Sequence, residues 1–325
     1  MRVQKLNTRP FQKRTRTNFA VMRMNILLMA ALFFAGCGQH KTEQSTMQRS
    51  AGAIAEKIEF KDYWYGNEAE LCHYELEQAR YGEIRKGDVV LVFVTEPLGD
   101  KSHVKNDDNT GGNSVPVLKL NYVKKFTTGI YDYSMMSSIF TPVDQSSAGG
   151  SLRITTTSQE WCGHTYMSMD LRENEYEILS RSYFENEADQ QFSLKKTWLE
   201  DELFNVIRLA PEKLPIGEFE MIPSTMYSRL MHVRSTPYSV KASSKKEGNV
   251  TIFTVIYPEL DRELSIHYKN EFPYKIMGWE ETYVSGFGSE KKQLTTKATL
   301  THIRLSPYWK ENAVDDALLR NELGL

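Results

Sequence analysis

The chain has 325 residues, with 40 Lys and Arg, 42 Asp and Glu, and three cysteines. Residues 1–36 hold seven basic and no acidic side chains, so their removal leaves 33 basic against 42 acidic side chains, a net charge of −9. This negative charge argues against nucleic acid and anionic lipid as general partners.

The N-terminal residues have the pattern of an export signal. A basic leader without acidic side chains precedes an apolar run from Ile26 to Ala35, and Gly36-Cys37 follows. Such a leader, a short apolar run and small residues before the cleavage site are typical of signal peptides. The run of ten residues is half of the ~20 needed to span a bilayer. We predict a lipoprotein signal peptide over residues 1–36, with Cys37 lipidated.

A lipidated Cys37 predicts a protein of the cell envelope. Stable attachment needs more than one acyl chain, and the palmitate-bearing triacylated cysteine of a lipoprotein supplies them. Gly38 stands where aspartate would retain a lipoprotein in the inner membrane, so we expect an outer-membrane location facing the periplasm. Residues 37–57 are mostly polar and are predicted to form a flexible tether.

From residue 58 onward the pattern predicts β-strands separated by turn residues. Val89–Thr95 is β-branched and apolar, and Val117–Tyr122 alternates apolar with polar side chains. Similar patterns predict further strands within residues 58–85, 126–140, 152–161, 166–171, 176–184, 239–242, 250–257, 263–268, 274–284 and 294–305. About ten strands at near-regular spacing favour a mainly β fold with large antiparallel sheets.

A helical period occurs in only two predicted segments. Residues 195–209 have an amphipathic period that Pro211 stops, and residues 313–323 predict a short C-terminal helix. We divide the body into a β-rich half over 58–215, which contains the first helix, and a second β-rich half over 216–325. One large curved sheet and two separate β halves both fit this pattern.

The sequence lacks the common catalytic motifs. It has no Gly-x-Ser-x-Gly, His-Glu-x-x-His, phosphate-binding loop or Gly-x-Gly-x-x-Gly. In Gln159–Tyr166, an extended chain would place Glu160, Cys162 and His164 on one face. An envelope hydrolase around Glu160 and His164 is therefore an alternative function. Cys and His supply only two of the four ligands of structural zinc, and we predict no metal or cofactor.

A second dense stretch, Tyr122–Met136, mixes aromatic side chains with Lys, Ser and Met. Tyrosine offers an apolar face with a polar tip, and methionine adapts its shape, so this stretch suits a ligand surface. Core packing in a large sheet uses the same side chains, and the sequence leaves both interpretations open. The candidate ligand-surface residues are Tyr122, Phe126, Tyr131, Tyr133, Trp161 and His164.

Cys72 and Cys162 are the cysteines that remain after removal of the signal peptide and lipidation of Cys37. In an oxidising compartment two such cysteines can pair as a disulfide. Free cysteine also packs as a small buried apolar residue. The sequence leaves the disulfide and two separate thiols as open alternatives.

Six segments have a recognisable sequence pattern: Phe93–Glu96, Leu118–Asn121, Lys124–Tyr131, Tyr133–Met136, Gln159–His164 and Pro307–Trp309. Together they resemble a family of Bacteroidota lipoproteins whose members often carry the label "septum formation inhibitor Maf". True Maf proteins are cytoplasmic nucleoside-triphosphate pyrophosphatases that open with Ser-x-Ser-Pro-Arg-Arg, which this sequence lacks. The resemblance therefore implies an envelope lipoprotein and no catalytic residue.

These observations favour a periplasm-facing outer-membrane lipoprotein that binds an apolar or amphiphilic ligand or another envelope protein. The hydrolase around Glu160 and His164 and a purely structural or assembly lipoprotein are the alternatives. Ligand binding predicts an apolar cavity, and hydrolysis predicts a cleft that holds both side chains. An assembly role predicts an exposed apolar patch without a deep pocket.

Overall fold

The computed structural model of the chain describes residues 57–107, 113–145 and 150–325. The predicted signal peptide, Cys37 and the predicted tether up to residue 56 lie outside the described residues. Within the described part of the chain, no helix has both the length and the apolar character needed to cross a membrane.

In the described residues, fifteen strands form one open sheet. In chain order they are β1 (Ala69–Arg80), β2 (Glu83–Gly99), β3 (Ser114–Thr128), β4 (Tyr131–Pro142), β5 (Arg153–Glu160), β6 (Gly163–Arg172), β7 (Glu175–Ser182), β8 (Gln190–Lys195), β9 (Trp198–Leu199), β10 (Gly217–Ile222), β11 (Tyr238–Glu247), β12 (Val250–Tyr257), β13 (Arg262–Lys269), β14 (Ile276–Ser285) and β15 (Lys292–Ser306). The predicted mainly β class is confirmed. Of the two arrangements that the sequence left open, the protein has the single sheet.

The strand order is β8-β7-β6-β5-β4-β3-β2-β1-β15-β14-β13-β12-β11-β10-β9. Neighbouring strands are antiparallel except for the parallel pair β9 and β10. Only residues 196 and 197 separate β8 from β9, although these strands are the two opposite edges of the sheet. Three Cα–Cα steps reach ~11 Å at most. The sheet must therefore curl until its two edges come close together.

Among the described residues, three short α-helices accompany the sheet: residues 57–64 (α1), Leu203–Leu209 (α2) and Thr225–Met231 (α3). Single 3₁₀ segments cover Glu200–Glu202, Pro211–Lys213, Pro258–Leu260, Gly288–Glu290, Tyr308–Lys310 and Val314–Leu323. The last of these replaces the C-terminal helix predicted over residues 313–323.

The helix predicted over residues 195–209 is correct only for its second half. Trp198 and Leu199 instead form β9, which pairs with Met221 and Ile222 of β10. The Glu202 carboxylate also accepts a hydrogen bond from the Leu199 backbone N–H at 3.1 Å. Tertiary pairing therefore overrides a helical period that the side chains alone satisfy.

The helices α2 and α3 pack against the concave face of the sheet. Thr225 of α3 lies 2.6 Å from the hydroxyl of Thr156 on β5, and Tyr227 of α3 stacks edge-on against Tyr283 of β14 at 5.7 Å. Strands β5 and β14 are six positions apart, which is ~29 Å on a flat sheet. A seven-residue helix is only about 10 Å long. Contact with both strands therefore confirms the strong curvature.

One hydrophobic cluster runs through both predicted halves of the chain. It includes Tyr74 of β1, Leu91 of β2, Leu118 of β3 and Phe253 of β12, all fully buried. A smaller cluster on the convex face joins Ala69 and Leu71 to Leu323, so the C-terminal segment covers β1 from outside. The sheet is thus buried on both faces near its middle strands.

Cys72 and Cys162 are both free, so the disulfide that the sequence left open is not formed. The Cys72 thiol points into the interior, where it donates to a Glu70 carboxylate oxygen at 3.1 Å, and burial raises its pKa well above the ordinary value. Cys162 is exposed in the turn between β5 and β6. The two side chains lie in different environments on different hairpins.

Candidate functional site

A cavity of about 820 Å³ lies on the concave face, between strands β5–β8 and helix α3. Met167, Phe192 and Leu194 supply apolar surface. Hydroxyl side chains also line it, namely Thr156, Thr165, Ser180, Ser182, Thr225 and Ser228. Residues 184–187 and the loop 232–236 after α3 complete its wall. We call this space the concave cavity.

Small side chains on β5–β7 explain why the cavity exists. The strand register places Thr156 opposite Met167 and Met167 opposite Ser180, so these three side chains share the concave face. The same face of β1–β3 carries larger side chains, such as Tyr74 and Leu118, which fill the interior. Serine and threonine leave space between the sheet and α3, and the cavity occupies that space.

Four charged or titratable side chains meet where α3 approaches the β5–β6 and β7–β8 turns. We call Glu160, Glu187, Arg229 and His232 the mouth cluster. Arg229 donates to one oxygen of Glu160 and to one oxygen of Glu187, each at 3.2 Å. The His232 Nδ1 lies 2.6 Å from the same Glu187 oxygen. The cluster therefore ties α3 to two hairpin ends.

The mouth cluster holds Glu187 in its ionised form. Partial burial alone would raise the pKa of this carboxyl, but hydrogen bonds from Ser182 and His232 and the charge of Arg229 lower it below the ordinary value. The Arg229 guanidinium also stacks over the Phe184 ring at 4.2 Å. An apolar wall and a fixed charge pair are thus adjacent at the cavity.

Three buried polar atoms near the cavity have no hydrogen-bond partner among the described residues. They are Glu160 Oε2, Arg229 Nε and Ser228 Oγ. Buried polar atoms in folded proteins are nearly always paired, and an unpaired one calls for a partner such as water or a ligand. Here they comprise an acceptor, a donor and a hydroxyl, so they match a polar group that offers both donors and acceptors.

The six predicted ligand-surface residues do not line the concave cavity, and they are not all together. Phe126 and Tyr133 stack at 4.7 Å on the concave face, and Tyr131 lies between Tyr133 and Trp161, with ring centroids 5.8 and 6.3 Å away. Tyr122 packs deeper, against Phe204 and Trp279. His164 is exposed on β6. Four of the six thus form one aromatic group near the β3–β4 and β5–β6 turns.

Glu160 and His164 do not share the face on which an extended chain would place them. Trp161 and Cys162 form the turn between β5 and β6, and His164 pairs with Gln159, whereas Glu160 pairs with Gly163. Side chains of neighbouring residues on a strand point to opposite faces. Glu160 therefore reaches Arg229 on the concave side while His164 points to the convex side, and no cleft holds both.

A second internal site surrounds Lys124 on β3. Its ammonium group is buried beside a space of about 30 Å³ that Glu200, Asp201 and Glu281 also line. Burial, together with the nearby charge of Arg262, lowers the pKa of Lys124, although the carboxylates oppose this effect. A volume of 30 Å³ corresponds to about one water molecule. The site suits a structural water and excludes an organic substrate.

Among the residues that the structure describes, no group of three or more His, Cys, Asp or Glu side chains is arranged to hold a metal ion. The residues that line the concave cavity form no motif, because they come from four strands and one helix. The available signal was the serine and threonine content of β5 and β7, in which Thr156, Ser158, Ser180 and Ser182 lie on the concave face and make it partly polar.

Comparisons with known proteins give little further information. No family model and no curated protein matches the chain. A crystal structure of a porin-like protein from Bacteroides uniformis is similar over 72% of this chain and 96% of its own, with 8% sequence identity and a TM-score of 0.20. At that TM-score the two structures differ too much for the properties of one to bear on the other.

Proposed function

We propose that this protein is a lipid-anchored envelope protein whose folded body binds an amphiphilic ligand in the concave cavity. The observation that carries the proposal is a cavity of about 820 Å³ with apolar and hydroxyl side chains and unpaired buried polar atoms at one side. Ligand sites are typically ~300–1,000 Å³, mostly apolar, with a few converging polar groups.

The chemistry of the lining favours an acyl chain with an uncharged or zwitterionic head group. Phe192, Leu194 and Met167 offer apolar contacts to the chain. The unpaired Arg229 Nε and Ser228 Oγ, on two residues that line the cavity, offer a donor and a hydroxyl to the head group. Glu160 and Glu187 already balance much of the charge of Arg229, so a strongly charged head group gains little there.

Binding of 1-monolauroylglycerol tests this proposal. A chain that starts at residue 38 contains every described element and lacks the acyl anchor, so the ligand can be titrated without detergent. We expect saturable binding with one molecule per chain by calorimetry. Ser180→Phe, on β7, should weaken binding about tenfold or more, because the added ring occupies part of the concave cavity.

Ser193→Phe is the matched control for this prediction. Ser193 lies on the neighbouring strand β8, is exposed and points away from the cavity, so the same substitution should leave binding unchanged. Ser180→Leu provides a smaller obstruction if the phenylalanine disturbs folding. Absence of binding by the parent chain, or equal affinity of the Ser180 and Ser193 variants, would contradict the proposed ligand site.

The envelope location rests on the sequence of residues 1–37, which lie outside the described residues. We expect labelled palmitate to be incorporated into the protein in cells, and Cys37→Ser to abolish incorporation and release the chain from membranes, because the substitution removes the acylated thiol. Cys162→Ser is the control, since Cys162 is exposed but does not follow a signal peptide. Unchanged membrane partition of the Cys37→Ser chain would overturn the anchor.

A further inference from the structure

Of the five successive hairpin turns from β14–β15 to β7–β8 at one end of the sheet, four carry strongly exposed apolar side chains. In sheet order they are Phe287 after β14, Ile130 after β3, Trp161 after β5 and Tyr183 after β7, with exposures of 71, 83, 71 and 71%. Tyr81, in the β1–β2 turn between the first two, is half-buried. We call these five residues the tip row.

The tip row is a continuous feature and not four isolated side chains. Tyr81 lies 5.6 Å from the ring of Phe287, and its hydroxyl is 2.8 Å from that of Tyr133. Tyr131 links Tyr133 to Trp161. Neighbouring tips are two strands apart, which is ~10 Å. Apolar groups at this spacing follow one rim of the curved sheet.

Turn geometry does not require these residues. Tight turns favour Gly, Asn, Asp and Ser, and the two-residue turns at the opposite end of the sheet are Glu173-Asn174 and Gly248-Asn249. Other exposed apolar side chains, such as Val104 and Val314, lie away from the row. Exposed apolar side chains also occur at the opposite end of the sheet, for example Ile58, Tyr65 and Trp309. On this rim they follow one another from turn to turn, and a continuous apolar row indicates a surface that is covered in use.

We propose that the tip row inserts into the lipid–water interface of the membrane that holds the anchor. Tryptophan and tyrosine prefer this interface, where an apolar ring can be buried while its polar edge stays hydrated. A row of single protruding tips suits a planar, deformable surface better than a protein partner, whose interface would need complementary pockets.

The charges beside the tips favour neutral lipid as the occupant. Acidic and basic side chains flank the same turns, as Asp132 and Lys125 do near Ile130 and as Glu290 and Lys291 do near Phe287. A mixed pattern gives no net attraction to anionic head groups. Docking should therefore depend on apolar transfer and change little with salt concentration.

The length of the chain between the predicted anchor and the body permits this contact. Helix α1 packs at the end of the sheet opposite to the tips, where Phe60 meets Phe272 at 5.9 Å. From Cys37 to Lys57 there are 20 residues, which span at most ~70 Å. Strand β1 is only about 40 Å long. The tips can therefore reach the membrane in which Cys37 is anchored.

The tip row also adjoins the concave cavity. Tyr183 of the row stacks against Phe184, which lines the cavity, at 5.7 Å. Insertion of the tips would place the mouth cluster against the membrane, so the ligand could enter directly from lipid. This entry route rests on the proposed ligand, whereas the docking of the tips rests only on the proposed lipid anchor.

Quenching by bromolipid tests the docking. The lipidated full chain is reconstituted in phosphatidylcholine vesicles whose acyl chains carry bromine, which quenches tryptophan only on contact. We expect quenching in the parent protein and its loss in Trp161→Phe, which keeps an apolar tip but removes the reporter. Trp309→Phe, at a half-exposed tryptophan near the C-terminus, is the matched control and should leave the quenching unchanged.

Two further variants test whether the apolar tip side chains cause the docking to the membrane. Ile130→Ser should shift the ratio of docked to undocked protein about tenfold toward the undocked state, while Val314→Ser should not change it. Unquenched parent protein, or equal quenching in the Trp161 variant, would overturn the docking. Ser180→Phe should keep the quenching while losing monolauroylglycerol, so failure of the ligand proposal and failure of the docking are distinguishable.

Discussion

Replacing Arg208 with methionine should lower the free energy of unfolding by about 3–5 kcal/mol. Arg208 on α2 forms a bidentate pair with Glu70 of β1, one arm at 2.7 Å, and neither side chain has any exposed surface. Its Nε also donates to the Pro273 carbonyl at 2.7 Å. Removal of the guanidinium leaves a buried carboxylate without its counter-charge, which is the costly way to break such a pair. Urea-induced unfolding at neutral pH measures the loss.

Two comparisons separate the burial of charge from the loss of packing. The double variant Glu70→Leu/Arg208→Met removes both charges, so it should recover most of the lost stability. Arg304→Met breaks an equally well-formed bidentate pair with Glu311, at 2.6 and 2.8 Å, whose side chains are about one-fifth exposed. Arg304→Met should therefore lower the free energy of unfolding by less than about 1 kcal/mol. Equal losses for Arg208 and Arg304 would contradict the explanation.

Glu70 shows why such interactions matter to the architecture. Its carboxylate accepts hydrogen bonds from Tyr63 of α1 and from Cys72, in addition to the two from Arg208. Although burial alone would raise the pKa of Glu70, these partners lower it. One carboxylate on β1 therefore joins α1, α2 and the middle of the sheet, and its ionisation is part of the folded state.

The strands with one apolar face were predictable from the sequence. The predictions for residues 117–122, 250–257 and 263–268 lie within β3, β12 and β13, because each of these segments alternates between core and outside. The segment 126–140 was not recognised as two strands. Its turn is Gly129-Ile130, and the exposed isoleucine extends the apolar pattern across the turn instead of interrupting it.

The interior of the sheet was less predictable, because much of it is polar. Asn205 of α2 donates to the Leu118 carbonyl at 3.0 Å and to the Thr141 hydroxyl at 2.8 Å. Fully buried asparagine, arginine and glutamate do not follow an apolar period, and their partners are far away in the chain. For the same reason the concave cavity could not be located from the sequence, since its lining comes together only when the sheet curls.

The structure also bears on the choice between the functions that the sequence left open. The hydrolase required Glu160 and His164 in one cleft, and they point to opposite faces. The assembly role required an exposed apolar patch without a deep pocket, whereas the protein has both the tip row and the concave cavity. A cavity beside an exposed apolar rim fits a ligand that is itself partly apolar and is exchanged with lipid.

Lowering the pH from 8 to 5 should stabilise the folded state through two buried carboxyls, by about 3–4 kcal/mol together. Burial raises the pKa of Glu202 from 4.5 to about 7 and that of Asp201 from 3.8 to about 6. A carboxyl with a raised pKa binds its proton more tightly in the folded than in the unfolded chain. Its contribution is therefore complete below the unfolded value and is lost as the pH rises through the folded value.

The pH dependence of the unfolding free energy, measured by denaturant titration, should be weaker in Glu202→Gln. Glutamine cannot ionise, but its amide cannot accept the Ser151 N–H bond at 2.6 Å and the Leu199 bond at 3.1 Å together, so its absolute stability also changes. The slope of the unfolding free energy against pH is therefore the quantity that tests the prediction, and the absolute stability is not. Asp201→Asn should reduce the slope as well, between about pH 6 and 5. Glu77→Gln, at an exposed position on β1, is the control and should leave the slope unchanged.

The buried His103 changes the unfolding free energy with pH in the direction opposite to that of Glu202 and Asp201. Subtracting the slope of Glu202→Gln from that of the parent removes this contribution. Burial, with the charge of Arg172, lowers the pKa of His103, so this ring resists protonation in the folded chain and destabilises it as the pH falls below the unfolded value. The contribution is the same in the parent and in Glu202→Gln, and it cancels when their slopes are subtracted. A difference of zero would mean that Glu202 ionises in the folded protein as readily as in the unfolded chain, despite its burial between Ser151 and Leu199.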